Sequence, residues 1–109
     1  MLCDLPTEEF WILLLNPACK IIDKVRISSG GINETTADVR SILREALLQR
    51  ATQIILCHNH PSGNKRPSIH DDRLTERVKQ AAETMNIYVS DHVIVCDGTF
   101  YSYSDECRL

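Results

Sequence analysis

The sequence predicts an α/β domain in which helices flank a mixed β-sheet, in the order β-β-α-β-α-β-β. Short, continuous apolar runs at residues 10–15 and 54–57 are typical of buried strands. Residues 19–28 alternate between apolar and charged side chains, as in a strand with one exposed face. Two further segments repeat apolar residues at helical spacing. The 109 residues suffice for one modest core, so we expect a single domain over residues 1–109.

The first half of the chain predicts a hairpin followed by a helix. Asn16-Pro17 interrupts the first apolar run, so the strands at 10–15 and 19–28 should pair as a hairpin. We expect the first strand to be buried on both faces and the second to expose its charged face. Thr35 and Asp38 have the pattern of a helix start. The apolar residues that follow at helical spacing are Val39, Ile42, Leu43, Ala46 and Leu47.

The second half of the chain predicts a central strand, a second helix and a hairpin. The predicted strands are residues 54–57, 87–96 and 99–103, the last two joined by a turn at Asp97-Gly98. The helix should begin at Ser68 and end near Asn86, which is a plausible C-terminal cap. Its apolar stripe comprises Leu74, Val78, Ala81 and Met85.

The composition argues against several classes of protein. The net charge is −3, and the few basic residues near 64–66 are explained by a solvated surface, so nucleic acid as a partner is not supported by charge. No signal-peptide pattern opens the chain, and no apolar run approaches about 18 residues, so we expect no membrane partner. The five cysteines include no Cys-x-x-Cys pair, which favours a reducing, cytoplasmic location. Because the chain begins close to its first strand, a longer parent protein is an alternative.

Residues that commonly bind metals follow the predicted central strand. His58 and His60 are two positions apart on an extended segment, so their side chains should point to the same side while Asn59 points away. Asp71 lies at the opening of the second helix, from which it can reach back to the strand end. Two imidazoles and one carboxylate are the ligand set of a catalytic zinc site with an open position for water.

The same residues also have a purely structural interpretation. A histidine pair at this spacing is often a pair of hydrogen-bonded turn residues, and Ser68-x-x-Asp71 is a helix-capping pattern that needs no zinc. From the residues alone both interpretations stay open. His70 should face solvent, and only one of Asp91 and His92 can face the site, in a structural or supporting role.

The arrangement His58-x-His60, then seven residues, then Ser68-x-x-Asp71 resembles the JAMM motif of the MPN/Mov34 metalloprotease superfamily. In more detail, the run His58-Asn59-His60-Pro61-Ser62-Gly63, with Pro67-Ser68 and Asp71 after it, is similar to the RadC family of bacterial JAMM-type proteins. The similarity extends to the first hairpin, Thr75, the strand Asp91-His92-Val93-Ile94-Val95 and Ser102. A His-x-His pair alone would be weak evidence, whereas this combination is specific.

The resemblance implies a role for each of these residues. The implied Zn²⁺ ligands are His58, His60 and Asp71. Ser68 would stabilise the tetrahedral intermediate by hydrogen bonding, and a glutamate on an early strand would act as general base. RadC-like sequences carry this glutamate two residues before the strand's phenylalanine, which favours Glu8, before Phe10, over Glu9. Adjacent residues on a strand point to opposite faces, so only one of the two can face the site.

The resemblance also implies an activity and an architecture. The activity is hydrolysis of an amide bond, in a peptide or isopeptide substrate, by water that zinc activates. The architecture is the three-layer, cytidine-deaminase-like arrangement of JAMM/MPN domains. An exposed sheet edge could hold a peptide substrate by strand addition, and exposed edges also leave a homo-oligomer open.

Three other functions share single features with this sequence. A zinc nucleobase deaminase needs a His-x-Glu pair and a later Pro-Cys-x-x-Cys, neither of which fits this chain. The letters His-Asn-His do not indicate an HNH nuclease, because that motif is dispersed along its fold. The remaining alternative is a DNA-repair or recombination accessory protein whose metal site is structural or vestigial. Longer RadC proteins carry a helix-hairpin-helix region ahead of this domain; the sequence does not contain it, so its DNA contacts do not carry over.

Overall fold

A computed structural model describes residues 8–29, 38–61, 63–96 and 98–109. Its elements, in chain order, are β1 (Glu9–Leu15), β2 (Ile21–Ser29), α1 (Val39–Leu48), β3 (Gln53–Asn59), α2 (Ile69–Thr84), β4 (Tyr88–Cys96) and β5 (Thr99–Ser102). The predicted order of strands and helices is therefore confirmed. Within these ranges, no helix combines the length and the apolar character that crossing a membrane requires.

The five strands form one mixed sheet in the order β2-β1-β3-β4-β5. β1 is antiparallel to both of its neighbours, β2 and β3. β3 and β4 are parallel, as expected for strands joined by the crossover helix α2, and β4 and β5 form an antiparallel hairpin. The two predicted hairpins and the central strand β3 are thus all present. β3 is the central strand, so β1 and β4 on either side can place further side chains next to its C-terminal end.

One apolar core lies between the helices and one face of the sheet. Its buried members include Phe10, Ile12 and Leu14 of β1, Ile54 and Leu56 of β3, Ile42 and Ala46 of α1, and Val78 and Ala82 of α2. The two helices also contact each other, so both lie on the same face. In the described ranges no helix covers the opposite face. The third layer that the resemblance implies is therefore not formed by this part of the chain.

The layering corrects one expectation about β1. Phe10, Ile12 and Leu14 are buried, whereas Trp11 and Leu13, which point to the other face, are only half-buried. The prediction that this strand is buried on both faces was wrong, because both helices pack against the same side of it. A continuous apolar run did identify the strand, but it did not reveal how its two faces are covered.

Both helices begin at the predicted caps. The Asp38 carboxylate accepts a hydrogen bond from the Arg40 backbone N–H, and Ser68 caps α2. The predicted starting residue Thr35 and the turn residue Asp97 lie outside the described residues. At the end of α2 the cap is Met85, and Asn86 follows it in the left-handed conformation with φ 57°. Met85 is largely exposed, so the buried stripe ends before it.

Candidate metal centre

His58 and His60 meet where β3 ends. His58 lies between Phe10 of β1 and Ile94 of β4 in the sheet and is 1% exposed, while His60 is half-buried just beyond the strand. Their Nε2 atoms are 3.0 Å apart. The alternation of side chains along an extended segment therefore brings both imidazoles to one point, as predicted.

Asp71, in the first turn of α2, completes a tight group with the two histidines. One of its carboxylate oxygens lies 3.1 Å from Nε2 of His58, and the other lies 3.1 Å from Nε2 of His60. Ligands at about 2.0–2.1 Å from a tetrahedral zinc ion are about 3.3 Å from one another. The three predicted ligand residues thus already have the separation that one small cation requires.

The Glu8 carboxylate lies next to this group and the Glu9 carboxylate does not. Oε1 of Glu8 is 3.9 Å from Nε2 of His58 and 4.0 Å from Nε2 of His60. The ligand atoms of Glu8 and the two histidines lie within 4.8 Å of one another, so this group could hold a metal ion. Glu9 instead accepts a hydrogen bond of 2.9 Å from the Trp11 indole. Of the two glutamates weighed from the sequence, the structure brings Glu8 to the histidines.

Asn59, between the two histidines, connects this segment to the start of β1. Its side chain is 1% exposed, and its Oδ1 accepts a hydrogen bond of 2.6 Å from the Glu9 backbone N–H. Glu8 immediately precedes Glu9, so this bond also restrains the backbone next to the Glu8 side chain. The sequence predicted only that Asn59 points away from the histidines.

The helix-capping interpretation of Ser68 and Asp71 is confirmed, and it is compatible with a metal site. Ser68 Oγ accepts a hydrogen bond of 3.1 Å from the Asp71 N–H, and Asp71 Oδ2 accepts one of 2.8 Å from the Ser68 N–H. This reciprocal capping box fixes the carboxylate in the orientation that faces the histidines. It also places the Ser68 hydroxyl beside Asp71, at the rim of the group.

The surroundings set the charge of the group. Burial alone would raise the pKa of Asp71, but hydrogen bonds that His58 and His60 can donate when protonated outweigh it and hold that pKa well below its usual range. Burial would lower the pKa of His60, but hydrogen bonds with the Asp71 carboxylate and the Asn64 carbonyl together raise it. Asp71 is therefore an anion at neutral pH, and His60 attracts a proton or another cation.

The tautomer of His60 follows from its backbone partner. The Asn64 carbonyl oxygen lies 2.7 Å from Nδ1 of His60. A carbonyl can only accept a hydrogen bond, so Nδ1 carries the hydrogen and donates it. Neutral His60 therefore presents the Nε2 lone pair to the group, as a metal ligand must.

His92 lies behind His58, which resolves the choice between Asp91 and His92. Nε2 of His92 is 2.9 Å from Nδ1 of His58. Asp91 points away and accepts hydrogen bonds from Ser102 Oγ at 2.5 Å and from the Ser104 N–H at 3.0 Å. His70, at the start of α2, is exposed, as the sequence predicted.

Comparison with known proteins gives a consistent family match. The model of the RadC-like JAB domain matches residues 1–108. A UPF0758 protein of Porphyromonas gingivalis is 50% identical over 109 residues, which are 99% of this chain and 48% of that protein. UPF0758 proteins of Flavobacterium johnsoniae and Streptococcus gordonii are 45% and 43% identical, each over 94% of this chain and 45% of the relative. The chain spans about half the length of these curated relatives.

Proposed function

Because the chain belongs to the RadC-like JAB domain family, we propose that it is a zinc-dependent hydrolase that cleaves an amide bond in a peptide or protein. The observation that carries the proposal is the convergence of His58, His60 and Asp71, whose facing atoms are separated by 3.0 and 3.1 Å, with the Glu8 carboxylate about 1 Å farther out. Two imidazoles and one carboxylate leave a coordination position open for chemistry.

The composition of the group favours zinc among the common cations. Magnesium and calcium prefer sites made of oxygen ligands, and structural zinc sites are usually closed by four ligands rich in cysteine. When bound, Zn²⁺ would act as a Lewis acid and lower the pKa of water from about 15.7 towards about 7. The acidic Asp71 and the lone pair of His60 are already in the states that bind a cation.

In this proposal Glu8 moves the proton. Its carboxylate lies close to both histidines but farther from them than Asp71 does, which suits a group that accepts a proton beside the open coordination position better than a ligand. From there Glu8 takes a proton from the attacking water and returns it to the nitrogen of the leaving amine. The water oxygen first adds to the carbonyl carbon and gives a tetrahedral oxyanion. When this intermediate collapses, the carbon–nitrogen bond breaks, the amine leaves with the proton, and the other product is a carboxylic acid.

Ser68 supports the reaction through its hydroxyl. The capping box holds the serine beside Asp71, where its O–H can donate to the oxyanion that develops on the substrate carbonyl. Ser68→Ala should lower kcat by about 10²-fold or more, as for the loss of other oxyanion donors. It should also cost about 1 kcal/mol of stability, because the cap of α2 is lost.

Two controls separate the two effects of Ser68→Ala. Asp38→Ala removes the cap of α1, far along the chain from the group, and should lower stability by a similar amount with kcat unchanged. Ser68→Thr keeps both a cap and a hydroxyl and should keep most of the activity. Full kcat in Ser68→Ala would exclude the hydroxyl from the reaction and leave it only the capping role.

The affinity for metal should fall as the pH falls through the pKa of His60. Metal binding requires a neutral imidazole, and the net effect of the surroundings raises this pKa above its ordinary value, so protons compete at higher pH than for an exposed histidine. Asp71 stays ionised over the same range because its pKa is lowered. Zinc dissociation constants measured from mildly acidic to mildly alkaline pH should decrease as the pH rises. A constant affinity across that range would contradict the ligand role of His60.

Peptide is favoured over DNA as the substrate by the charge of the chain and the chemistry of the group. A net charge of −3 gives little attraction for phosphates, and hydrolysis of phosphodiesters commonly uses two metal ions, whereas one zinc ion with a general base is a common arrangement in metalloproteases. Zinc-loaded protein should therefore cleave members of a library of internally quenched peptides. Binding of duplex DNA that weakens steeply with salt, with no peptide cleaved, would instead favour the role of a DNA-repair accessory protein.

A further inference from the structure

A chain of three buried hydrogen bonds lies behind the candidate ligands and runs from His58 to the backbone of Asp71. Nδ1 of His58 is 2.9 Å from Nε2 of His92, and Nδ1 of His92 is 2.5 Å from Thr75 Oγ1. Thr75 Oγ1 in turn lies 2.7 Å from the backbone carbonyl oxygen of Asp71. His58, Thr75 and His92 are 1%, 3% and 0% exposed. The path therefore joins a residue of β3 to a residue of α2 through β4, out of contact with water.

The direction of the two bonds that Thr75 makes is fixed by elementary chemistry. The Asp71 carbonyl has no hydrogen to give, so the Thr75 hydroxyl donates to it. A hydroxyl has only one hydrogen, and this one is then used. Thr75 Oγ1 must therefore accept from His92, which means that Nδ1 of His92 carries a hydrogen.

The surroundings of His92 fix the direction of its bond with His58. Tyr103 stacks on its ring at 4.8 Å and Phe10 meets it edge-on at 5.9 Å, so the imidazole lies in an aromatic, water-free environment. The ring is 0% exposed, and burial without a neighbouring carboxylate partner among the described residues favours the neutral imidazole. Since a neutral imidazole carries one hydrogen and His92 has it on Nδ1, its Nε2 accepts from His58 Nδ1.

We propose that His92, oriented by Thr75, is a positioning residue that holds His58 in the tautomer with its hydrogen on Nδ1 and so directs the Nε2 lone pair of His58 into the candidate metal centre. His60 reaches the same state by a separate route, through the Asn64 carbonyl. Both imidazoles then present lone pairs towards each other and towards the Asp71 carboxylate. A cation is needed to hold three such atoms together.

The consequence for metal binding rests on the proposed function, but the tautomer itself does not. A histidine with its hydrogen on Nε2 would point that hydrogen at the cation and could not bind it. Fixing the tautomer before the metal arrives therefore removes a competing state. Because Thr75 bonds to the backbone of Asp71, the same path also ties the strand ligand to the helix ligand.

The tautomer can be measured in metal-free protein. Long-range ¹H–¹⁵N correlation spectra of the imidazoles distinguish a protonated from an unprotonated ring nitrogen, and we expect protonated Nδ1 and unprotonated Nε2 in His58. In Thr75→Val, Nδ1 of His92 loses its acceptor, so His92 should move its hydrogen to Nε2 and His58 should change to the opposite tautomer. Thr75→Ser keeps the hydroxyl and should keep the original tautomer.

Either of two results in these spectra would overturn the proposal. One is a hydrogen on Nε2 of His58 in the unsubstituted protein, a measurement that needs no variant to fold. The other is an unchanged His58 tautomer in folded Thr75→Val. A purely structural role of Thr75 would lower the stability of Thr75→Val without moving the hydrogen, so the tautomer separates the two roles.

Cobalt binding gives the second readout. Thr75→Val and His92→Phe should each bind Co²⁺ about 10–100-fold more weakly than the unsubstituted protein, with an altered visible spectrum. The phenylalanine keeps an aromatic ring against Tyr103 but accepts no hydrogen bond. Thr75→Ser should bind Co²⁺ normally. Equal affinities in all four proteins would overturn the proposal. If the unsubstituted protein binds no Co²⁺ or Zn²⁺ although His58 has the expected tautomer, the proposed function fails and the assignment of His92 stands.

Discussion

The Glu8→Gln variant is expected to lose about 10²–10⁴-fold of its amide-hydrolysing activity while it still binds zinc. Glutamine has nearly the size of glutamate, but its amide cannot take up and return a proton. The Glu8 oxygen lies 3.9 and 4.0 Å from the two histidine nitrogens, whereas the Asp71 oxygens lie 3.1 Å from them. Removing the charge of Glu8 should therefore leave the three ligands in place.

The neighbouring glutamate provides a matched control for this variant. Glu9 carries the same charge one residue away, but its carboxylate accepts from the Trp11 indole and faces Arg26 at 3.9 Å. Activity on the quenched-peptide library and zinc content should be measured on the same preparations of both variants. Glu9→Gln should retain its activity. Loss of zinc in Glu8→Gln would make Glu8 a ligand, and full activity in that variant would exclude it as the base.

The His60→Ala variant is expected to bind zinc more than 100-fold more weakly than the unsubstituted protein. Changes to residues that only support a ligand cost about 10–100-fold in affinity, and removing a ligand itself should cost more. His70→Ala is the matched control, since it removes an exposed histidine one residue from Asp71. It should bind zinc with normal affinity, and equal losses in the two variants would contradict the ligand assignment.

The same comparison has a thermal readout. Zinc at about 100 times its dissociation constant should stabilise the folded protein by about 2.7 kcal/mol. For a domain of this size each kcal/mol raises the midpoint of thermal unfolding by roughly 4–8 °C. Added zinc should therefore raise the midpoint of the unsubstituted protein and of His70→Ala, and a chelator should reverse the rise. The midpoint of His60→Ala should barely respond.

Much of the fold could be predicted because the strongest signals are local. The strand expected near 19–28 and the caps Asp38 and Ser68 depend on neighbours within a few positions, and all are present in the structure. The apolar face expected for that strand is only partly covered, because Ile21 is 60% exposed. The burial of the two faces of β1 is not local. It depends on which side the helices pack, and the apolar run 10–15 carries no information about that.

In the candidate site, too, the residues predicted from local patterns differ from those that needed other information. That His58 and His60 share a side follows from the alternation along one segment, and the reach of Asp71 follows from its place in the first turn of a helix. The choice of Glu8 over Glu9 rested on a resemblance, because alternation shows that the two side chains face opposite sides but not which side meets His58 on β3.

The supporting residues were the hardest to predict. Asn59 bonds to a backbone group 50 positions away, and His92 bonds to a ring 34 positions away. Neither partner can be found without the register of the sheet, in which His58 lies between β1 and β4. The available signal was the pair Asp91-His92 in a strand, where a buried histidine would require a partner.

Anomalous diffraction at the zinc absorption edge, on crystals of protein purified without chelators, tests the central claim most directly. We expect one peak at about 2.0–2.2 Å from Nε2 of His58, Nε2 of His60 and one oxygen of Asp71, with Glu8 outside the coordination shell. A peak coordinated by Glu8 in place of Asp71, or crystals of zinc-supplemented protein with no peak among these residues, would contradict it.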